Sequence, residues 1–427
     1  MIIANKFNPL GDNKFSGTKV QGILSGVTMS KHSRNQQPSF EQEIKDIFPL
    51  IWDDQSPEPI SQLNYEQELK LKNDAFAKFL QKAGVQKQAQ SIIASPKPRH
   101  YRTTTKRRVF QEGAGIGLGF SKPVKAGVCL ESDLEPSEHH DIYHFLQKTL
   151  SKRTYYSLAR ALNWLIIRGN YDRQFLILNI FKMDADVMRK VKLLVNVLKK
   201  ENIVEGAMVY FDPSRSDYYL EAERPVKTMQ IKHLFGPRLL GLKVDDVLMR
   251  YSPIGFSQVN ESMVPEMVEL AKTMLKASKD DVLLDLYCGY GLFSHTLGQS
   301  CKNVLGYEMS TTAIDSAKEI SKRLKSHNRM KFFAEKIDAN LVHNKFSQAK
   351  QTELMLLDPP RQGCEPGVIA QLAKRRPKRV LQIFCGTDVV PKEILEWQKQ
   401  GYKAKVIQPI DMFAGTPNLE TMVLFEA

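Results

Sequence analysis

The chain has 427 residues, 42% of them hydrophobic and 25% charged, which suits two or three soluble domains with sizeable cores. No run approaches the roughly 18 to 20 apolar residues of a membrane span, and residues 1–7 lack the charged-then-apolar layout of a signal peptide, so a cytoplasmic protein is expected. The formal net charge of +14 points to a polyanionic partner, above all nucleic acid, while five scattered cysteines without CxxC spacing suggest neither a zinc ribbon nor an iron–sulfur cluster.

Residues 1–60 are polar and weakly periodic and read as a partly ordered N-terminal extension. Over residues 63–80, Leu69, Leu71, Phe76, Phe79 and Leu80 fall mostly at helical spacing, with Gly84 as a stop. Residues 61–130 carry thirteen Lys/Arg against four Asp/Glu, and residues 97–108 contain no acid at all. There Arg99, Arg102, Arg107 and Arg108 surround Tyr101, so phosphates could be held while a ring stacks on a base. Alternating glycines at 113–119 do not spell a phosphate loop and suit a strand with close backbone neighbours. Further on, residues 175–181 and 206–210 predict strands and residues 185–199 a helix. His140 and His144 stand four apart but lack a third ligand, so no metal site is expected.

After about residue 250, strands alternate with helices, the pattern of a doubly wound α/β sheet. The strand Val282-Leu-Leu-Asp-Leu runs into Tyr287-Cys-Gly-Tyr-Gly291, where Gly289 lets the backbone approach a ligand. The next strand ends at Glu308, 23 positions after Asp285, the spacing of an acid that accepts from ribose hydroxyls. No third glycine completes a dinucleotide fingerprint, so a single adenosyl group fits better. Asp338 follows a third strand, within reach of an adenine amino group. Asp358-Pro-Pro-Arg361 closes a fourth strand, with rigid prolines exposing carbonyls to a planar substrate. Cys385 closes a fifth on the same ligand side, and Glu420 opens the last.

These motifs resemble the RNA uridine-C5 methyltransferases that make 5-methyluridine in tRNA and ribosomal RNA. The resemblance spans roughly residues 60–427. It rests on Ser252-Pro-Ile-Gly-Phe-Ser-Gln-Val-Asn260, Asp285-Leu-Tyr-Cys-Gly-Tyr-Gly-Leu-Phe293, Asp358-Pro-Pro-Arg361, Cys385 and Asn418-Leu-Glu420. It implies a Rossmann-like class I methyltransferase domain over residues 246–427, with a smaller α/β RNA-binding region over 61–245. It further implies Gln258, Tyr287, Glu308 and Asp358 around S-adenosylmethionine, Cys385 as nucleophile, Glu420 as proton acceptor, and tRNA or rRNA as substrate. The chain departs from the family at Phe384-Cys-Gly-Thr387, where Ser-Cys-Asn-Pro is usual. Leu292 replaces a polar residue, and Gly415-Thr-Pro-Asn418 replaces a histidine-rich lead-in. The iron–sulfur cysteines and N-terminal barrel of some relatives are absent from the sequence. Asp-Pro-Pro alone also suits methylation of exocyclic amines; cytosine-C5 methylation and RNA binding without turnover are the other readings.

Overall fold

The computed structural model describes residues 38–49, 56–113, 115–215, 230–346 and 352–427. Most of the expected N-terminal extension, residues 1–37 and 50–55, therefore lies outside the described residues, as does Ala114 near the start of the glycine run. No helix among the described residues is long and apolar enough to cross a membrane.

Two large sheets organise the chain, linked in sequence by a two-stranded one of β7 (Leu240–Val244) and β8 (Val247–Tyr251). The first has six strands in the order β2-β1-β3-β4-β5-β6: β1 (Thr105–Glu112), β2 (Gly115–Gly119), β3 (Leu162–Gly169), β4 (Gln174–Ile180), β5 (Gly206–Phe211) and β6 (Gln230–Phe235). The alternating glycines form β2, paired antiparallel with β1. Strands β4 and β5 pair in parallel, which requires a crossover; α5 (Ala185–Lys200) supplies it, its first turn capped by Asp184 accepting from the Val187 amide. Strand β3 is buried throughout because both its faces are covered. Leu165 and Ile167 pack under α5 and α3 (Ser137–Leu150), whereas Trp164 and Ile166 join the core of the second sheet. A strand buried on both sides carries the near-continuous apolar run seen here.

The second sheet has seven strands in the order β11-β10-β9-β12-β13-β15-β14: β9 (Val282–Leu286), β10 (Asn303–Glu308), β11 (Met330–Ala334), β12 (Glu353–Leu357), β13 (Arg379–Phe384), β14 (Lys403–Ile410) and β15 (Glu420–Glu426). This is the Rossmann-like α/β architecture, with α6 (Val264–Leu275) and α8 (Thr311–Arg323) on one face. On the other face lie α9 (Ala339–Lys345), α10 (Val368–Ala373) and α11 (Val390–Lys399). The sheet is mixed, because β15 runs antiparallel to both its neighbours and needs no crossover helix. The strand order reverses between the parallel strands β9 and β12, and in such sheets the crevice beyond the carboxyl ends at that point receives the ligand.

The N-terminal helices α1 (Phe40–Ile47) and α2 (Tyr65–Lys82) pack on the second sheet, not the first. Phe40, Phe76, Phe79 and Leu80 share a core with Met355, Val380, Ile407 and Phe425. Sequence order groups α2 with the central region; its apolar stripe groups it in space with the C-terminal one.

Candidate active site

The crevice is built from strand ends. After β9 the chain turns sharply, with Tyr287 at φ 62° and Gly289 at φ 55°, a left-handed conformation that glycine adopts without strain. A Cβ at Gly289 would meet nothing within 4 Å, so the turn borders open space. Beneath it Asp285 is 1% exposed. One of its oxygens accepts from the Ser294 hydroxyl at 2.6 Å, and the other has no hydrogen-bond partner among the described residues. Burial, with Glu308 adding, pushes its carboxyl up to about 7.

Glu308 closes β10 and accepts from the Ser310 amide at 2.8 Å; burial raises it, and neighbouring amides, including that of Gly289, offset part of the rise. Asp358 follows β12, held well above the usual carboxylate range by burial and by the charges of Glu420, Asp285 and Glu308. Gln258 is buried, and the loop before it is fixed by Arg168, which donates to the Ser257 hydroxyl at 2.7 Å. The Tyr287 hydroxyl is buried beside the Cys364 thiol. Asp338 also caps α9, accepting from the Leu341 amide at 2.7 Å.

The structure brings Gln258, Tyr287, Gly289, Glu308 and Asp358 to the carboxyl edge of the sheet or to loops beside it. Carboxylates that raise one another, with an orphaned oxygen among them, fit a ligand bearing positive charge. That is the donor set suited to the sulfonium and amino groups of S-adenosylmethionine.

Cys385 and Glu420 meet across the β13–β15 ladder. The register pairs Phe384 with Thr421, so the next position on one strand and the previous one on the other set Cys385 opposite Glu420. The Cys385 sulfur lies 3.8 Å from the Pro359 carbonyl. Burial, then the charges of Glu420 and Asp358, push its thiol up to about 12, with Arg361 pulling the other way. Glu420 is 1% exposed, and among the described residues neither of its oxygens has a hydrogen-bond partner. Burial pushes it up to about 7 against the pull of Arg361.

The loop chemistry around Cys385 explains its departure from the family pattern. A Cβ at Gly386 would stand 2.2 Å from the Arg361 carbonyl oxygen, so no side chain fits while the loops keep this approach. Thr387 then ties the nucleophile loop to the last strand: its hydroxyl accepts from the Leu419 amide at 3.1 Å and donates to the Leu419 carbonyl at 3.2 Å.

Three of the residues expected to touch RNA are turned inward, which corrects that expectation. Tyr101 is 0% exposed and donates to the Ala414 carbonyl at 2.9 Å, leaving no ring face for a base. Arg107 is equally buried, paired with both oxygens of Glu135. Arg99 spends its guanidinium on the Ser61 carbonyl and on Glu68 at 2.8 Å. Arg102 and Arg108 are half-buried. Arg108 lies 5.7 Å over the Trp164 ring, whereas Arg102 is close enough to Arg361 to add to the lowering that burial chiefly causes there. His144 binds Glu131 at 2.6 Å, and among the described residues no group of three or more metal-ligating side chains occurs. Sequence patterns missed Arg361 as the cation beside Cys385 and Glu420; its only signal was its place behind Asp358-Pro-Pro.

The chain is similar in sequence to known RNA methyltransferases. The chain is 22% identical over 372 residues to an uncharacterized RNA methyltransferase of Oceanobacillus iheyensis, covering 84% of this chain and 79% of that protein. It is 33% identical over 196 residues to the 23S rRNA (uracil(1939)-C(5))-methyltransferase of Aliivibrio salmonicida, covering 46% of this chain and 44% of that one. In fold it is similar to the Pyrococcus abyssi tRNA (uracil-54, C5)-methyltransferase solved with S-adenosyl-L-homocysteine. That match has a TM-score of 0.65 at 17% identity and covers 87% of this chain and 86% of the other. The sequence profile of the tRNA (uracil-5-)-methyltransferase family matches residues 238–427. The C-terminal part of the chain is thus similar to the tRNA (uracil-5-)-methyltransferase family.

Proposed function

We propose that the protein methylates C5 of a uridine in structured RNA, tRNA or ribosomal RNA, through a transient bond between the Cys385 sulfur and C6 of the base. The observation that carries this reading is Cys385 set opposite Glu420 at the sheet edge that also bears Asp358 and Glu308. Gln258, Tyr287, Gly289, Glu308, Asp338 and Asp358 would hold S-adenosylmethionine, which supplies an electrophilic methyl group on a positively charged sulfur.

C5 of uracil is a weak nucleophile. Addition of the Cys385 thiolate to C6 raises electron density at C5, the carbon that is methylated. Arg361 supplies the positive charge that favours the thiolate against two carboxylates. Glu420 then takes the C5 proton, the sulfur–C6 bond breaks, and Cys385 returns as thiolate. With its carboxyl pushed up to about 7, Glu420 is a stronger base than an ordinary glutamate yet still substantially ionised near neutrality. Reaching an enclosed cysteine requires the base to leave its stack, which favours a loop or otherwise unpaired uridine. Arg102, beside Arg361, and Arg108 are the expected RNA contacts that remain in position to serve.

RNA containing 5-fluorouridine, incubated with protein and S-adenosylmethionine, should give a protein–RNA adduct on a denaturing gel, because fluorine at C5 cannot leave as a proton. Cys385→Ala should give none. Wild-type protein that binds RNA and cofactor but forms no adduct would favour methylation of an exocyclic amine or binding without turnover.

A further inference from the structure

The loop of residues 411–419 joins β14 to β15, and its two ends, Ile410 and Glu420, pair across the hairpin. Such loops ordinarily lie on the surface, where water satisfies the backbone. Here Asp411, Met412, Ala414, Thr416 and Leu419 are each 0% exposed. The backbone groups of the loop are satisfied instead by the N-terminal part of the chain. Lys72 donates to the Phe413 carbonyl at 3.3 Å, and Tyr101 to that of Ala414 at 2.9 Å. The Ile60 amide donates to the Gly415 carbonyl at 3.3 Å, and the Gly415 amide donates to Glu68 at 2.5 Å.

At the centre of this contact Lys72 is fully buried between two carboxylates, 2.7 Å from Asp411 and 2.8 Å from Glu68. Arg99 makes the second ion pair of Glu68, and the Tyr65 hydroxyl donates to Asp411 at 3.0 Å. Two cations thus balance two anions. A buried ion pair is an expensive way to hold a helix on a sheet, since apolar side chains of similar volume do so as well or better. What such a network adds is geometry.

Glu420 is the residue that needs geometry from elsewhere. Among the described residues neither carboxylate oxygen has a hydrogen-bond partner, so no hydrogen bond from them sets the position of the side chain's tip. That position follows from the backbone of residues 419 and 420, hence from the loop and from what grips the loop.

We propose that α2, through Lys72 with Glu68 and Tyr65, is a clasp that positions Glu420 opposite Cys385. This rests on the proposed role of Glu420 as the base. Helix α1 clasps the other catalytic loop in the same way: Asp388, three residues beyond Cys385, accepts from the Phe40 amide at 2.9 Å. Lys72 and Tyr65 are positioning residues and touch no substrate.

The test separates formation of the adduct from its resolution. Single-turnover reactions with ordinary uridine RNA and methyl-labelled cofactor are run for wild type, Lys72→Met and the milder Tyr65→Phe, with S-adenosylhomocysteine affinity as the check on folding. A misplaced base should leave adduct formation within about twofold of wild type. Resolution should slow about 100-fold in Lys72→Met and about tenfold in Tyr65→Phe, so that methylated adduct persists. Equal slowing of both steps, or wild-type resolution in a folded variant, overturns the clasp. Should Lys72→Met not fold, Tyr65→Phe decides. If wild-type protein forms no 5-fluorouridine adduct, the reading of Cys385 and Glu420 fails and the clasp with it; a normal wild-type adduct with unaffected variants sinks the clasp alone.

Discussion

Replacing Glu420 by glutamine should stabilise the protein at alkaline pH while stalling its chemistry. The folded carboxyl sits at about 7 against an ordinary 4.5, because ionising it puts an unpartnered charge into a buried site. A raised carboxyl means that the folded state binds more protons than the unfolded one between those two values, so stability falls as pH rises through that window. The penalty is absent well below 4.5 and complete above 7. On the order of 3 kcal/mol follows from the size of the shift, shrinking to about 1 kcal/mol at pH 5. Glutamine keeps the shape and cannot ionise. Urea unfolding at pH 5 and pH 8 should therefore show Glu420→Gln close to wild type at the lower pH and about 3 kcal/mol more stable at the higher. A difference that is the same at both pH values, or a variant weaker at pH 8, would refute the claim that burial leaves the Glu420 charge uncompensated. The same variant should hold methylated RNA as a covalent adduct, the trade of stability for activity expected of a site carrying an uncompensated charge.

Removing Arg361 (Arg361→Gln) takes away the cation opposing Glu420 and Asp358 at Cys385. Alkylation of Cys385 by iodoacetamide should need still higher pH, whereas Glu420→Gln should bring it to lower pH; shifts in the reverse sense would show the charges arranged otherwise. Gly386→Asn restores the usual family residue but sets a Cβ 2.2 Å from the Arg361 carbonyl oxygen. Single-turnover methylation should fall by about 100-fold or more with S-adenosylhomocysteine affinity unchanged, and an unaffected rate would show that the two loops separate freely. Tyr101→Phe should cost about 1 kcal/mol of stability through the lost bond to Ala414 and leave RNA affinity unchanged in filter binding. Arg107→Met, which strands Glu135, should cost about 3 to 5 kcal/mol, also without an RNA-specific effect. Weakened RNA binding at full stability in either variant would refute their inward placement.

Local pattern made much of the second sheet legible. Residues 282–286, 303–308, 330–334, 353–357 and 379–384 form the strands their apolar runs predict, and a residue that ends such a strand is fixed in register by its neighbours. Cys385, Asp358 and Glu308 could therefore be placed at one edge from periodicity alone. Charge was less informative, because a run of cations shows composition and not direction. In β1 the alternation of Thr105 and Arg107 with Lys106 and Arg108 is plain in the sequence. Which face is covered depends on Glu135 and Tyr143 arriving from elsewhere in the chain.

The sequence by itself determined the elements, their order and the chemical groups at the strand ends, since these depend on periodicity over a few residues. Only the tertiary structure decided which groups confront one another. Cys385 meets Glu420 because β15 enters antiparallel beside β13. Gly386 is required because Arg361 comes close. Lys72 meets Asp411 across 339 positions, a contact that no local window contains and that packing of α2 on the second sheet creates.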